Sequence, residues 1–384
     1  MKVENNKNEE VLVSIFVPYY NDCAFLRDCI DSILNQSYKN FELILLDHAS
    51  TDGSSQIAKA YTDGRIKHIS LQKNLGAGGG ALVKEFINVA KGDYVKLFCA
   101  DDMMFPDCIS ILVDYMKQNP LVDVVFGNVR YVDEHLHSLK NDWFNNRRGF
   151  DIDDRNIDIL RKLKDGKSFL PYIGSLAKRK AFESVKLNQT FIMMFDMSLW
   201  TEMLLNGLNF TFLNKVIASY RVHKKQVSAI YNVEKVSTRS FYESVAFCDI
   251  FYSYVRNVNM LKVIYSESPF VKYLDENDLD LIEFVIAHYY LSGINEHYKV
   301  NAYLRLEKIF ANDELRSRIE SKFSYGIKEF REDYSGKLVT SFKSKIYRKK
   351  PENLNIGDIL FLLFRNVWDF ISLKNMRRKR KYTA

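Results

Sequence analysis

Apolar runs and amphipathic stretches alternate at short range over the first third of the chain. Residues 11–17 (Val-Leu-Val-Ser-Ile-Phe-Val) are β-branched and apolar with almost no polar alternation, the pattern of a parallel strand buried on both faces; Pro18-Tyr19-Tyr20-Asn21-Asp22 breaks it. Residues 24–36 place Leu26, Ile30, Ile33 and Leu34 at helical spacing, and residues 41–46 return to a strand pattern. Asp47-His48-Ala49-Ser50-Thr51-Asp52-Gly53-Ser54 then supplies turn and capping residues before a helix over 55–61. A more polar strand at 65–71 leads to the glycine-rich run Gly76 to Ala81 and a helix ending at Val89. After Gly92-Asp93-Tyr94 an apolar strand runs through Lys96-Leu97-Phe98-Cys99-Ala100 into Asp101-Asp102, followed by a helix over 106–118 and a strand over 122–127. This alternation predicts an α/β fold with a mainly parallel sheet covered on both faces.

Residues 131–170 are charged and aromatic and read as a mobile insertion with some helix. Order is expected again at 171–176, in a helix over 196–205 and in a strand over 215–223. Beyond about Val233 the pattern changes to long helical segments such as 241–258 and 279–290, with no glycine between Gly207 and Gly293, which predicts a separate helical region. Residues 354–373 are apolar but interrupted by Asp358, Arg365 and Asp369, too often for a transmembrane span. Flanked by Arg348-Lys349-Lys350 and Arg377-Arg378-Lys379-Arg380-Lys381, they fit an amphipathic helix in an anionic membrane interface, or one packed on the protein beside a solvated basic tail. The expected division is a disordered 1–10, an α/β domain over 11–230, a helical domain over 231–350 and an amphipathic helix with basic tail over 351–384.

Length and composition narrow the class. The 384 residues, 47% hydrophobic, are ample for a globular core in two or three domains. Five cysteines without a CxxC pair argue against a disulfide framework and a zinc site, and the polar, mixed-charge first ten residues lack the apolar core of a secretory signal, so a cytoplasmic protein is expected. The net charge of +7 is unevenly placed: residues 337–384 hold 13 Lys+Arg and 3 Asp+Glu, or +10, which leaves −3 on residues 1–336. Basic character confined to the tail argues against a nucleic-acid binder.

Candidate chemistry centres on Asp101 and Asp102. Two adjacent carboxylates at a strand's carboxyl end repel unless a cation or hydrogen-bond donors lie between them, so they suit a divalent metal carrying phosphates. A competing reading takes Gly76-Ala77-Gly78-Gly79-Gly80-Ala81 as the dinucleotide fingerprint of an NAD(P)-dependent oxidoreductase, with Asp101 20 residues after Ala81. Its polar leading strand, and the 70 or so residues of α/β pattern before it, weaken that reading.

The motif series Val13-Ser14-Ile15-Phe16-Val17-Pro18-Tyr19-Tyr20-Asn21, Ser32-Ile33-Leu34-Asn35-Gln36-Ser37-Tyr38, Asp47-His48-Ala49-Ser50-Thr51-Asp52-Gly53-Ser54, Asn74-Leu75-Gly76, Gly92-Asp93-Tyr94, Ala100-Asp101-Asp102, Asp196-Met197-Ser198-Leu199-Trp200 and Tyr220-Arg221-Val222-His223 resembles the family 2 glycosyltransferases of GT-A fold. The resemblance spans residues 11–228 and implies an inverting transferase of the kind that builds bacterial surface polysaccharide. It implies that Pro18, Tyr20, Asp47, His48 and Asp101 bind the donor nucleotide and that His223 serves the diphosphate; with no Arg at Ala81 or Leu82, the diphosphate is expected to lean also on the N–H groups of Gly78 and Gly79 or on Lys84. It further implies that Asp102, with His223, holds Mn²⁺ or Mg²⁺, and that Asp196 is the general base. Asp196 also fits a plain helix cap, and His223 a surface residue after a strand.

Three positions depart from the family pattern. His48 stands where a second carboxylate is usual, Cys99 where the first Asp of Asp-x-Asp-Asp is common, and Ala81 or Leu82 where an Arg often falls. They motivate one alternative, a non-catalytic GT-A module that binds nucleotide or carbohydrate. The expected partners are a nucleotide-diphospho-sugar, a carbohydrate or lipid-linked glycan acceptor and, through residues 345–384, the anionic inner face of the cell membrane.

Overall fold

The computed structural model describes residues 10–76, 79–142, 154–166, 170–187, 190–226, 233–293 and 295–333. Met1–Arg305 form one compact unit and Leu306–Ala384 a second. The first unit opens with β1 (Val13–Tyr19), α1 (Leu26–Leu34), β2 (Phe41–Asp47), α2 (Ser54–Lys59), β3 (Ile66–Ser70), α3 (Gly79–Val89) and β4 (Tyr94–Leu97). It continues with β5 (Met103–Met104), α4 (Cys108–Gln118), β6 (Val124–Val132), β7 (Ser138–Asp142), α5 (Asn156–Lys164), β8 (Ser175–Lys178), α6 (Phe195–Leu205) and β9 (Phe210–Arg221).

All nine strands join one sheet in the order β3-β2-β1-β4-β8-β6-β9-β5, with β7 beside β6. β1, β2, β3 and β4 pair in parallel; β8 runs antiparallel to β4 and β6, while β6 and β9 pair in parallel. Six of the nine strands therefore share a direction, and β5, β7 and β8 oppose it. The uninterrupted apolar runs of β1 and β2 follow from burial on both faces. Ile15 and Val17 join a core with Leu26, Cys29, Ile30 and Ile33 of α1 and Leu112 and Val113 of α4. Phe16 points the other way and stacks on Phe86 of α3, with ring centroids 4.6 Å apart. Each such buried side chain contributes about 1.5–3 kcal/mol.

Pro18 is tolerated in this central strand because β4 pairs with β1 only as far as Phe16 opposite Leu97. Phe98 donates to the Phe16 carbonyl at 2.9 Å, and beyond that point no ladder bond is asked of the Pro18 nitrogen. For the same reason β4 ends at Leu97 rather than continuing to Ala100: residues 98–102 leave the ladder and turn into β5, which pairs with β9.

The stretch expected as an insertion begins within the sheet and carries the helix α5. β6 runs on to Val132, turns, and returns as β7; the Asp133 carboxylate accepts the N–H groups of His135 and His137 at 2.9 and 2.8 Å and closes the turn. Residues 143–153 and 167–169 lie outside the described residues, and α5 lies between them. β9 begins at Phe210, ahead of the expected 215.

Beyond the sheet the first unit holds α7 (Val233–Tyr254), α8 (Val258–Ile264), α9 (Ile282–Ser292) and the start of α10 (Glu296–Ala311), and α11 (Asp313–Phe323) lies in the second. In that second unit Phe310 stacks on Phe330 with centroids 5.3 Å apart. No helix among the described residues is long and apolar enough to cross a membrane. The basic tail over 345–384 lies outside the described residues.

Candidate active site

The strand order places a topological switch at the carboxyl ends of β1 and β4. From β1 the chain moves outward through β2 to β3, then returns to β4 on the other side of β1. Open α/β sheets bind ligands in the crevice this reversal leaves. The loops after β1, β2 and β4 and the end of β9 all reach this edge. The first two are laced together: Asn21 donates its N–H to Ser50 Oγ at 3.1 Å and accepts from Thr51 N at 2.8 Å, Asp22 N reaches Ser54 Oγ at 2.9 Å, and Cys23 N reaches Asp52 Oδ2 at 3.0 Å. Asn21 sits at φ 57°, a left-handed conformation its short polar side chain tolerates better than most.

An acidic cluster fills the crevice. Ligand atoms of Cys99, Asp101 and Asp102 all lie within 4.8 Å of one another. Asp102 is only 1% exposed; its Oδ1 accepts the Arg221 N–H at 2.8 Å, while its Oδ2 is buried with no hydrogen-bond partner. Burial, and then Asp101 beside it, hold the Asp102 carboxyl well above the usual carboxylate range. A buried carboxylate oxygen left over in this way, with a second carboxylate and a thiol adjacent, is a set of donors that a divalent cation satisfies. The hard carboxylate oxygens fit Mg²⁺ or Mn²⁺, and the thiol adds a softer donor.

His223 is turned toward the first carboxylate. Its Nε2 bonds to Asp101 Oδ2 at 3.0 Å and its backbone N–H to Gln226 Oε1 at 3.1 Å, so it orients the first carboxylate. Phe25 packs between it and Arg221: the Phe25 ring centroid is 4.6 Å from the His223 ring and 4.5 Å from the Arg221 guanidinium, whose Nη2 reaches Asp28 at 2.9 Å.

Asp22, in the loop after β1, is a further acidic residue at this edge. It accepts the Tyr20 N–H at 3.0 Å, yet burial, reinforced by Asp101 and Asp52, pushes its carboxyl up to about 6. Its place in the Pro-Tyr-Tyr-Asn-Asp loop was the available signal. Arg221 was likewise seen only as part of a motif, although its main chain holds Asp102.

The residues expected to grip a nucleotide divide into two kinds. Tyr20 is 45% exposed at the crevice mouth, its ring edge-on to His48 at 6.1 Å, and Pro18 lies just below it at the end of β1. Asp47 is inward and spent: Oδ1 accepts Ser50 N at 2.9 Å and Oδ2 accepts the Ser55 hydroxyl, so it shapes the loop. His48 accepts the Leu75 N–H on Nε2 at 2.6 Å, and burial lowers its pKa. The neutral ring then carries its proton on Nδ1 and offers a donor where a carboxylate would offer an acceptor.

Asp196 sits in the first turn of α6, partly buried, with Oδ1 accepting the Met197 N–H at 2.8 Å. Burial, and behind it the Glu243 carboxylate, push its carboxyl up to about 6. Burial, and then Cys99 and Asp196, push the Tyr172 hydroxyl well above its usual range. Gly79 starts α3 so close to α6 that a Cβ there would come within 2.6 Å of the Phe195 ring. Lys84 is on the exposed side of α3, and Gly78 lies outside the described residues. The glycine run follows β3, the edge strand, whereas a dinucleotide fingerprint follows a central first strand; the oxidoreductase reading is set aside.

Residues 14–186 match the family model described as glycosyl transferase family 2. An uncharacterized glycosyltransferase of Methanocaldococcus jannaschii is 25% identical over 238 residues, covering 61% of this chain and 78% of that protein. GlyG, a glycosyltransferase of Streptococcus pneumoniae serotype 4, is 36% identical over 126 residues, and the match spans 32% of this chain but 40% of GlyG. Among solved structures, S. aureus TarS 1–349 in complex with UDP-GlcNAc superposes with a TM-score of 0.51 at 14% identity, covering 83% of this chain and 91% of that one. The sheet is thus of GT-A type, and residues 14–186 within it carry the match to glycosyl transferase family 2.

Proposed function

We propose that the protein is an inverting glycosyltransferase, moving a sugar from a nucleoside-diphospho-sugar to an acceptor hydroxyl on a carbohydrate or lipid-linked glycan. The observation that carries this reading is the buried, partnerless Asp102 Oδ2 beside Asp101 at the switch point of the sheet. The family match and the UDP-GlcNAc complex of TarS support the class of donor.

Asp102 and Asp101 would hold Mn²⁺ or Mg²⁺, with the Cys99 thiol adjacent. When bound there, such a cation neutralises charge gathering on the departing diphosphate. His223 fixes Asp101, and the Arg221 main chain fixes Asp102. Tyr20 stacks on the base, and His48 presents its Nδ1–H toward the same mouth. Asp196 removes the proton of the acceptor hydroxyl as that oxygen attacks the anomeric carbon opposite the leaving group; a carboxyl raised to about 6 is a stronger base than an ordinary one and still ionised at neutral pH.

A screen of UDP-, GDP- and TDP-sugars with Mn²⁺ or Mg²⁺, by thermal shift and then by nucleoside diphosphate release, tests this reading. Stabilisation by one nucleotide family with diphosphate release supports it. Stabilisation without release on any acceptor makes the protein a binding module, and no stabilisation at all sinks the proposal. We propose further that the basic segment over 345–384 docks the enzyme on anionic membrane, since its 11 Lys+Arg can each add about 1 kcal/mol. Removing residues 354–384 is expected to release the protein from phosphatidylglycerol-containing liposomes; unchanged partition would place the contact elsewhere.

A further inference from the structure

α6 carries Asp196 in its first turn but opens without a side-chain cap of its own. The amides that precede it are held from α7 instead. Glu243 accepts Ile192 N at 3.0 Å on Oε1, and Met193 N and Met194 N at 2.7 and 2.8 Å on Oε2. Three consecutive main-chain donors on one carboxylate make a tight, charge-assisted clamp, and Glu243 is 7% exposed. On the following residue, the Phe195 ring is pressed against Gly79 of α3. The backbone leading into Asp196 is thereby gripped from two directions.

Resting on Asp196 as the general base, we propose that Glu243 is its positioning residue: the α7 carboxylate fixes the entry to α6, and so the place and direction of the Asp196 carboxyl. The Glu243 charge also raises the Asp196 carboxyl, behind the larger effect of burial. The other charged groups on elements packed against α6 are engaged elsewhere. On α5, Asp158 pairs with Arg155 and Arg161, Lys162 with Asp154, and Lys164 with Asp165. Arg179 and Glu183 pair across the turn before α6, and Glu202 accepts from Lys186 N and the Tyr254 hydroxyl. Lys84 and Glu85 of α3 and Arg239 of α7 face solvent, and Asp249 of α7 pairs with Arg305.

Removing a like charge lowers the pKa of a carboxyl, so the acid limb of the transfer rate should move down when Glu243 is neutralised. Glu243→Gln is expected to lower kcat about 10- to 100-fold through misplacement of the base, to leave the donor KM within about twofold, and to shift the acid limb of kcat to lower pH. A fall in kcat with an unmoved limb would make Glu243 a structural cap and overturn the proposal, as would unchanged kcat. Should Glu243→Gln fail to fold by circular dichroism, Glu243→Asp keeps the charge but shortens the reach: kcat should fall with the limb in place, and a displaced limb would overturn the proposal. Asp196→Asn separates this from the parent reading, because normal transfer in that variant removes Asp196 as base whatever Glu243 does.

Discussion

Asp196→Asn is expected to lower turnover by about 10²–10⁴-fold while nucleotide binding stays at the wild-type level, the span that a positioned general base contributes. Asparagine is isosteric, and its carbonyl oxygen can still accept the Met197 N–H, so the first turn of α6 keeps its hydrogen bond. What is lost is the capacity to take a proton. In the wild type the same group should set the pH profile. The base works ionised and its carboxyl stands at about 6, so transfer should be level above that value and fall as pH drops through it. Rates measured from pH 5 to 8 at saturating donor test both points. Near-normal transfer by Asp196→Asn, or a level profile down to pH 5, would assign the base elsewhere.

The second large effect is expected at Asp102. Asp102→Asn should remove metal-dependent nucleotide binding, with a loss in metal affinity of at least about 100-fold, since even residues that merely support a ligand are worth 10–100-fold. Stability should move the other way. The folded Asp102 carboxyl lies above its unfolded value, so in the absence of metal its ionisation costs the fold stability as pH rises from the ordinary carboxylate range. Asparagine escapes that cost and can still accept the Arg221 N–H, so metal-free Asp102→Asn should melt no lower than the wild type at pH 7. Titration calorimetry with Mn²⁺ and the stabilising nucleotide, beside metal-free thermal unfolding, reads both. Retained metal-dependent binding would move the ligand role to Asp101 and Cys99.

The fold was legible where burial on both faces leaves no room for polar residues. β1, β2 and the helices α1 and α4 came directly from uninterrupted apolar runs and from Leu26, Ile30 and Ile33 on one face. Strands with mixed faces did not: Arg130-Tyr131-Val132 and the β7 return look like a loop until the Asp133 turn pairs them. β8 is only Ser175–Lys178 and is recognised as a strand by its neighbours β4 and β6 on either side. Within the site, the motif series singled out Asp101, Asp102, His48 and Asp196 but could not apportion their bonds. Asp47 spends its oxygens on Ser50 and Ser55, and His48 its acceptor on Leu75. Glu243 left no local trace, because its clamp joins residues about 50 apart in sequence.

The bond from Arg221 N to Asp102 Oδ1 links residues 119 apart, and the one from His223 to Asp101 links residues 122 apart. Contacts this distant in the chain wait for the intervening loop to close, and topologies rich in them fold slowly. The crevice is therefore assembled only once β9 has docked, after β1 to β4 have the sequence they need to pair. During synthesis a chain that has emerged only to residue 186 has the whole family-matched segment yet lacks Asp196, Arg221 and His223. Such a nascent chain lacks the two bonds that hold Asp101 and Asp102 in place, so the acidic cluster gains its final geometry only when β9 joins the sheet.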